Sequence, residues 1–122
     1  MKFVISSSAL LSFLSTASKV ISSKNTLPIL DYFLFEVKDG SLKVTASDLE
    51  TTITSTIITE SVESEGVIAA PVKLLIDSLK EFSEQPLTFE ADEEKWEIKI
   101  SWKTGSIALP GTSGMSYPAA QP

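Results

Sequence analysis

The chain has no cysteine and no histidine among its 122 residues, and its ten basic side chains are all lysine. Without cysteine there is no disulfide and no thiolate-bound metal. Without histidine, the usual general base near neutral pH and the commonest metal ligand are both missing. With no arginine there is no planar fork for bidentate reading of guanine or tight clamping of phosphate. The five glycines are scattered, so neither a phosphate-cradling loop nor a dinucleotide fingerprint can be drawn. Serine is abundant, yet no G-x-S-x-G elbow is present and no histidine could activate a nucleophile. No apolar run approaches the length of a membrane span.

What is present is ordinary for a globular domain: 43% hydrophobic and 21% charged residues, in a length that fits one core without staples. The net charge of −6 argues against a protein that coats nucleic acid over its whole surface. A local basic strip on an acidic body remains compatible with it, because binding answers to the local field.

One polar stripe is written twice. Ser8, Ser12, Ser15 and Lys19 recur 65 positions later as Lys73, Asp77, Lys80 and Glu84. Steps of four, three and four place each set on one face of a helix. The opposite faces match at the same offset: Leu10 with Leu75, Leu11 with Ile76, Leu14 with Leu79, Ala17 with Phe82. A short apolar strand precedes each helix, Phe3–Ile5 and Val67–Ala70. The repeat predicts two similar halves with two helices side by side, their polar faces forming one surface.

Along the chain, 2–6 reads as a strand and Ser6 or Ser7 as the cap of a helix running to about Val20. Asn25-Thr26-Leu27-Pro28 is held extended by its proline. Ile29–Lys38 and the strand from Leu42 flank Asp39-Gly40, a two-residue hairpin signal. Leu49–Glu60 reads as a Thr/Ile strand, Ser61–Gly66 as an acidic turn, and Pro71 as the first turn of a helix ending near Ser83. A hairpin of 87–91 and 95–103 turns at Asp92-Glu93-Glu94, with Trp96, Ile98, Ile100 and Trp102 on one side. Gly105–Leu109 is a last strand, and the Gly/Ser/Pro-rich stretch after it reads as a linker.

Candidate chemistry is sparse. Asp92, Glu93 and Glu94 fit a solvated turn. Asp48 and Glu50 could share a strand face, the basis of a carboxylate-dependent hydrolase reading, but no further metal ligands join them. The tryptophans alternate with isoleucines, which places them in sheet core and not on a stacking platform. The first 20 residues resemble a secretory signal in composition, which gives the alternative of a secreted or surface β-rich interaction module. Against that, Ser6, Ser7 and Ser8 interrupt the apolar run, and Ser12 and Ser15 continue a helical polar face. There remain the lysines: Lys19 and Lys24 at and just beyond the end of the first helix, Lys73 and Lys80 seven apart on the second. Such flexible point charges attract phosphate without reading sequence.

Lys2-Phe3, Asn25-Thr26-Leu27-Pro28-Ile29-Leu30, and Asp39-Gly40-Ser41-Leu42 followed by Thr45-Ala46-Ser47-Asp48-Leu49-Glu50 closely resemble the bacterial sliding clamp, the β subunit of DNA polymerase III. Ala70-Pro71 and Leu109-Pro110 fit as well. The likeness runs from Met1 to about Pro118 and covers the first of three domains. It implies an α+β DNA-clamp fold, with two helices packed on antiparallel β-sheet and an internal pseudo-twofold. Residues 1–110 would be the N-terminal domain and 111–122 a linker toward a second domain, absent here.

The family's role is processivity: two chains close head to tail into a ring around duplex DNA, with helices lining the hole. The resemblance therefore implies a cytoplasmic, non-catalytic homodimer with no cofactor or metal. Replicative polymerase and clamp loader would dock on domains outside this chain. By position, Lys24 matches a basic DNA-contacting site, and Lys73 and Lys80 match basic positions on or near the inner surface. With Lys19 they form the expected DNA-binding set. Lys103, Thr104, Ser106 and Ile107 fall on the edge that joins the partner's third domain. Other members carry arginines there and form ion pairs, which are largely missing here.

Overall fold

The Asp39-Gly40 turn forms as its sequence demands. In the computed structural model, which describes residues 1–20, 32–47, 52–82 and 84–113, both residues are left-handed, at φ 54° and 76°. That is the turn whose twist matches paired strands. It joins β2 (Tyr32–Lys38) to β3 (Ser41–Ser47), and β3 pairs onward with β4 (Thr52–Ile58). Glycine supplies the φ a side chain resists, and its carbonyl accepts from Thr59 N–H at 3.3 Å and from the Thr59 hydroxyl at 2.7 Å.

The remaining elements are β1 (Lys2–Ser6), α1 (Ser7–Val20), β5 (Ser61–Ser64), β6 (Gly66–Pro71), α2 (Val72–Leu79), β7 (Pro86–Asp92), β8 (Glu97–Trp102), β9 (Gly105–Pro110) and β10 (Thr112–Ser113). They build two five-stranded sheets, ordered β5-β1-β7-β8-β9 and β10-β6-β2-β3-β4. Every pairing is antiparallel. The expected α+β clamp architecture with an internal twofold is therefore present. The repeat also goes further than its sequence pattern shows, because the halves exchange their first strands. β1 inserts beside β7 in the second half's sheet, and β6 inserts beside β2 in the first half's. Phe3 opposes Phe89 in one sheet as Ile68 opposes Phe35 in the other. Phe35 and Phe89, equivalent under the twofold, meet in the core at 6.4 Å.

The helices follow from their apolar faces. Ser6 caps α1, its hydroxyl accepting from Ala9 N–H at 3.3 Å. Leu10, Leu14 and Ala17 are sealed against the sheets, as are Leu75 and Leu79, the repeat mates of the two leucines, and Ile76 beside them. At its entry, α1 is joined to the α2 exit: Ser7 N–H donates to the Gln85 carbonyl at 3.0 Å, and Gln85 N–H to the Ser7 hydroxyl at 3.1 Å.

Several boundaries differ from the sequence reading. Ser61–Gly66 is not a turn; Ser61–Ser64 pairs with β1 as an edge strand, a role that needs only one inward side chain, the half-buried Val62. Pro71 is the extended N-cap of α2, at φ −72° and ψ 115°, and not a residue of its first turn. α2 stops at Leu79 instead of near Ser83. Tighter bonds follow, Glu81 N–H to the Ser78 carbonyl and Phe82 N–H to the Leu79 carbonyl. They swing Phe82 onto Trp102, with ring centroids 4.6 Å apart. Trp96 sits in the β7–β8 turn at φ 52°, outside the strand, though like Trp102 it packs on the core. Within the stretch read as linker, Thr112–Ser113 pairs with β6.

Candidate nucleic-acid interface

α1 and α2 lie against each other. With their apolar faces spent on the core, the two stripes turn outward. Ser8, Ser12 and Lys19 are exposed on α1 and Ser15 is half-buried. On α2 and its continuation, Lys73, Asp77, Lys80 and Glu84 are all exposed. The sequence repeat thus becomes one polar surface spanning two helices.

Not every hydroxyl on it is free to meet a ligand. Thr16 and Ser18 bond back to the carbonyls of Ser12 and Ser15, at 2.9 and 3.0 Å, and Ser78 to that of Leu74 at 2.9 Å. The Ser6 hydroxyl donates to Glu84 Oε1 at 2.7 Å, which holds that carboxylate beside the α1 N-terminus where negative charge is favoured. Lys19, Lys73 and Lys80 form no ion pair among the described residues, where the one salt bridge joins Lys2 to Glu63 at 3.4 Å. Lys24 lies outside the described residues, as do Asp48, Glu50 and the 25–30 motif. Three of the four lysines read from the sequence are thus exposed on the two helices or at the end of the second.

Charge is distributed unevenly. On the helical face Lys19, Lys73 and Lys80 are offset by Asp77, Glu81 and Glu84, so the chain's net −6 resides elsewhere. Much of it rims a hollow of about 610 Å³ at the β7–β8 tip, lined by Glu65, Glu90, Asp92, Glu93, Glu94 and Glu97 with Met1 and Lys99. No residue of either helix borders it. Within it, Asp92 Oδ1 accepts from the backbone N–H groups of Glu94 and Lys95 at 2.9 and 3.1 Å. These bonds, the Glu94 one foremost, hold its carboxyl below the ordinary 3.8. Sequence reasoning took this tip as a solvated turn, and its carboxylates are exposed. That Met1 and Glu65 join it could not be read, because they arrive from distant strands.

The second candidate set lies on the free edge of the first sheet. Among the described residues β9 pairs only with β8. Ser106 on it is exposed and Ile107 is half-buried against the core, while Lys103 and Thr104 are exposed in the turn before it. The Thr104 hydroxyl accepts from Trp102 Nε1–H at 3.0 Å. Among the described residues no helix is long and apolar enough to cross a membrane.

The profile of the DNA polymerase III beta subunit N-terminal domain matches residues 1–121. A beta sliding clamp of Vibrio harveyi is 29% identical over 88% of this chain and 75% of its own length. One from Haemophilus influenzae is 33% identical over 75% of this chain. The chain spans only 26% of that relative. The crystal structure of the Streptococcus pyogenes DNA polymerase beta subunit superposes with a TM-score of 0.89 at 24% identity, over all of this chain and 33% of that one.

Proposed function

The chain belongs to the DNA polymerase III beta subunit family, as its N-terminal domain, and we propose that it serves as the first domain of a ring-shaped sliding clamp that tethers a replicative polymerase to duplex DNA. The observation that carries this reading is the paired helices with both polar stripes outward and Lys19, Lys73 and Lys80 exposed upon them, in no ion pair among the described residues. Lys24 joins this set. A clamp must slide, and lysines on a near-neutral face supply loose, sequence-blind attraction to phosphate. The acidic hollow at the β7–β8 tip, which no helix residue borders, disfavours DNA on that surface.

In this reading the domain is non-catalytic and cytoplasmic. The folded unit runs on through Thr112–Ser113, past the boundary at residue 110 read from the sequence, and the rest of 111–122 leads toward a second domain. The ring is a homodimer closed in part by Lys103, Thr104, Ser106 and Ile107 on the open β9 edge. Polymerase and clamp loader engage domains beyond this chain. The secreted-module alternative fits the architecture poorly, since cleavage near residue 20 would remove β1, flanked by strands on both sides, and all of α1.

The test is the salt dependence of DNA binding by the full-length ring. Each lost phosphate contact lowers the log–log slope by roughly 0.9 on duplex DNA. Replacing Lys24 and Lys73 with glutamine is expected to weaken DNA contact and lower the slope by roughly one to two. An unchanged slope removes these lysines from the mechanism.

A further inference from the structure

We propose that Asp77 is a brake on DNA contact: a carboxylate set among the lysines so that the helical face grips a duplex weakly and lets it slide. This rests on the clamp reading above. At 3.6 residues per turn, Lys73, Asp77 and Lys80 fall within a sector of roughly 60° on α2 and its cap. All three side chains are exposed, and no ion pair joins them. The negative charge is therefore not neutralised locally; a phosphate approaching either lysine also meets Asp77.

Asp77 has no evident structural use. Among the described residues its carboxylate accepts no hydrogen bond. It sits in the last turn of an eight-residue helix, where the carbonyl ends disfavour negative charge. The neighbouring carboxylates differ. Glu84 is bonded to Ser6 beside the N-terminus of α1. Glu81 lies past the end of α2, roughly 80° around from Lys73. Asp77 thus opposes the helix dipole with only its spacing from Lys73 and Lys80 in its favour, in a place where it reduces their attraction to phosphate.

The experiment titrates the isotope-labelled chain with a short mixed-sequence DNA duplex at low ionic strength, followed by NMR. One exposed charge about 8 Å from a phosphate predicts two- to five-fold tighter binding for Asp77→Asn, shrinking as salt rises. Lys73→Gln should weaken binding, and Glu94→Gln, at the distant hairpin tip, should leave it unchanged. A melting temperature at or above the parent's shows that Asp77→Asn is folded. If Asp77→Asn binds no tighter while Lys73→Gln still weakens binding, the brake is wrong and the DNA face stands. Equal tightening by Glu94→Gln reduces the effect to net charge and also overturns the brake. If no helix resonance moves with DNA in any variant, the clamp reading of this face falls too.

Discussion

Truncating Leu14 to alanine tests whether the interlocked halves fold as one unit. Leu14 and its repeat mate Leu79 are 0% and 1% exposed, within the same core cluster. Replacing a sealed leucine by alanine costs about 2–5 kcal/mol, from lost transfer energy and the cavity left behind. At roughly 3–4 °C per kcal/mol for a chain of this size, the midpoint should fall by about 10 °C. Because β1 lies in the second half's sheet and β6 in the first half's, neither half keeps its sheet if the other opens. Leu14→Ala and Leu79→Ala should therefore each lower one shared transition, each by about 2–5 kcal/mol. Urea unfolding read by circular dichroism measures both, with Ser12→Ala, on the exposed stripe, as a control expected within about 0.5 kcal/mol of the parent. A biphasic curve, or a loss below about 1 kcal/mol at either leucine, would refute the single-core argument.

Two further outcomes follow from local geometry. Gly40→Ala has open space for its new methyl group but must hold φ at 76°, so it should cost about 1 kcal/mol through backbone strain alone. A stability equal to the parent's would mean that the turn rearranges. Asp92 gives an acid signature: with its folded pKa below 3.8, the stabilisation it adds is present above that value and fades as pH falls through the folded pKa. Carboxyl NMR should find its midpoint below 3.8, and Asp92→Asn should flatten the acid limb of the stability curve. A midpoint above 3.8 contradicts the hydrogen-bond cause.

What could be read in the sequence was what neighbours decide. The Ser/Lys stripe with its leucine back, the Asp39-Gly40 turn and the Ser6 cap are set by spacings of two to four residues, and each appears where its pattern places it. What could not be read depends on distant partners. Ser61–Ser64 looks like a turn because an edge strand with one covered face needs only Val62 to point inward. α2 ends early because Phe82 finds Trp102 some twenty residues away in sequence. The candidate lysines were legible because periodicity places them on a face. Whether they meet counter-charges is a tertiary question: three have no ion-pair partner among the described residues, and Lys24 lies outside them.

The strand exchange also explains why one continuous polar surface arises from a repeat at all. α1 carries the chain from β1 in the first sheet to β2 in the second, and α2 carries it back, from β6 in the second to β7 in the first. Both helices must therefore cross the same junction between the sheets, and they meet there side by side. Had each half kept its own first strand, each helix could have covered its own sheet, leaving the two stripes apart. The crossing turns two modest polar faces into one continuous strip, backed by the Phe35–Phe89 contact at the twofold. Its lysines are separated by carboxylates and hydroxyls, and the helical face carries no net charge. On the proposed reading, a surface so composed would attract phosphate only in passing, as a ring that holds DNA by topology requires, and Asp77 would be one carboxylate that tunes it.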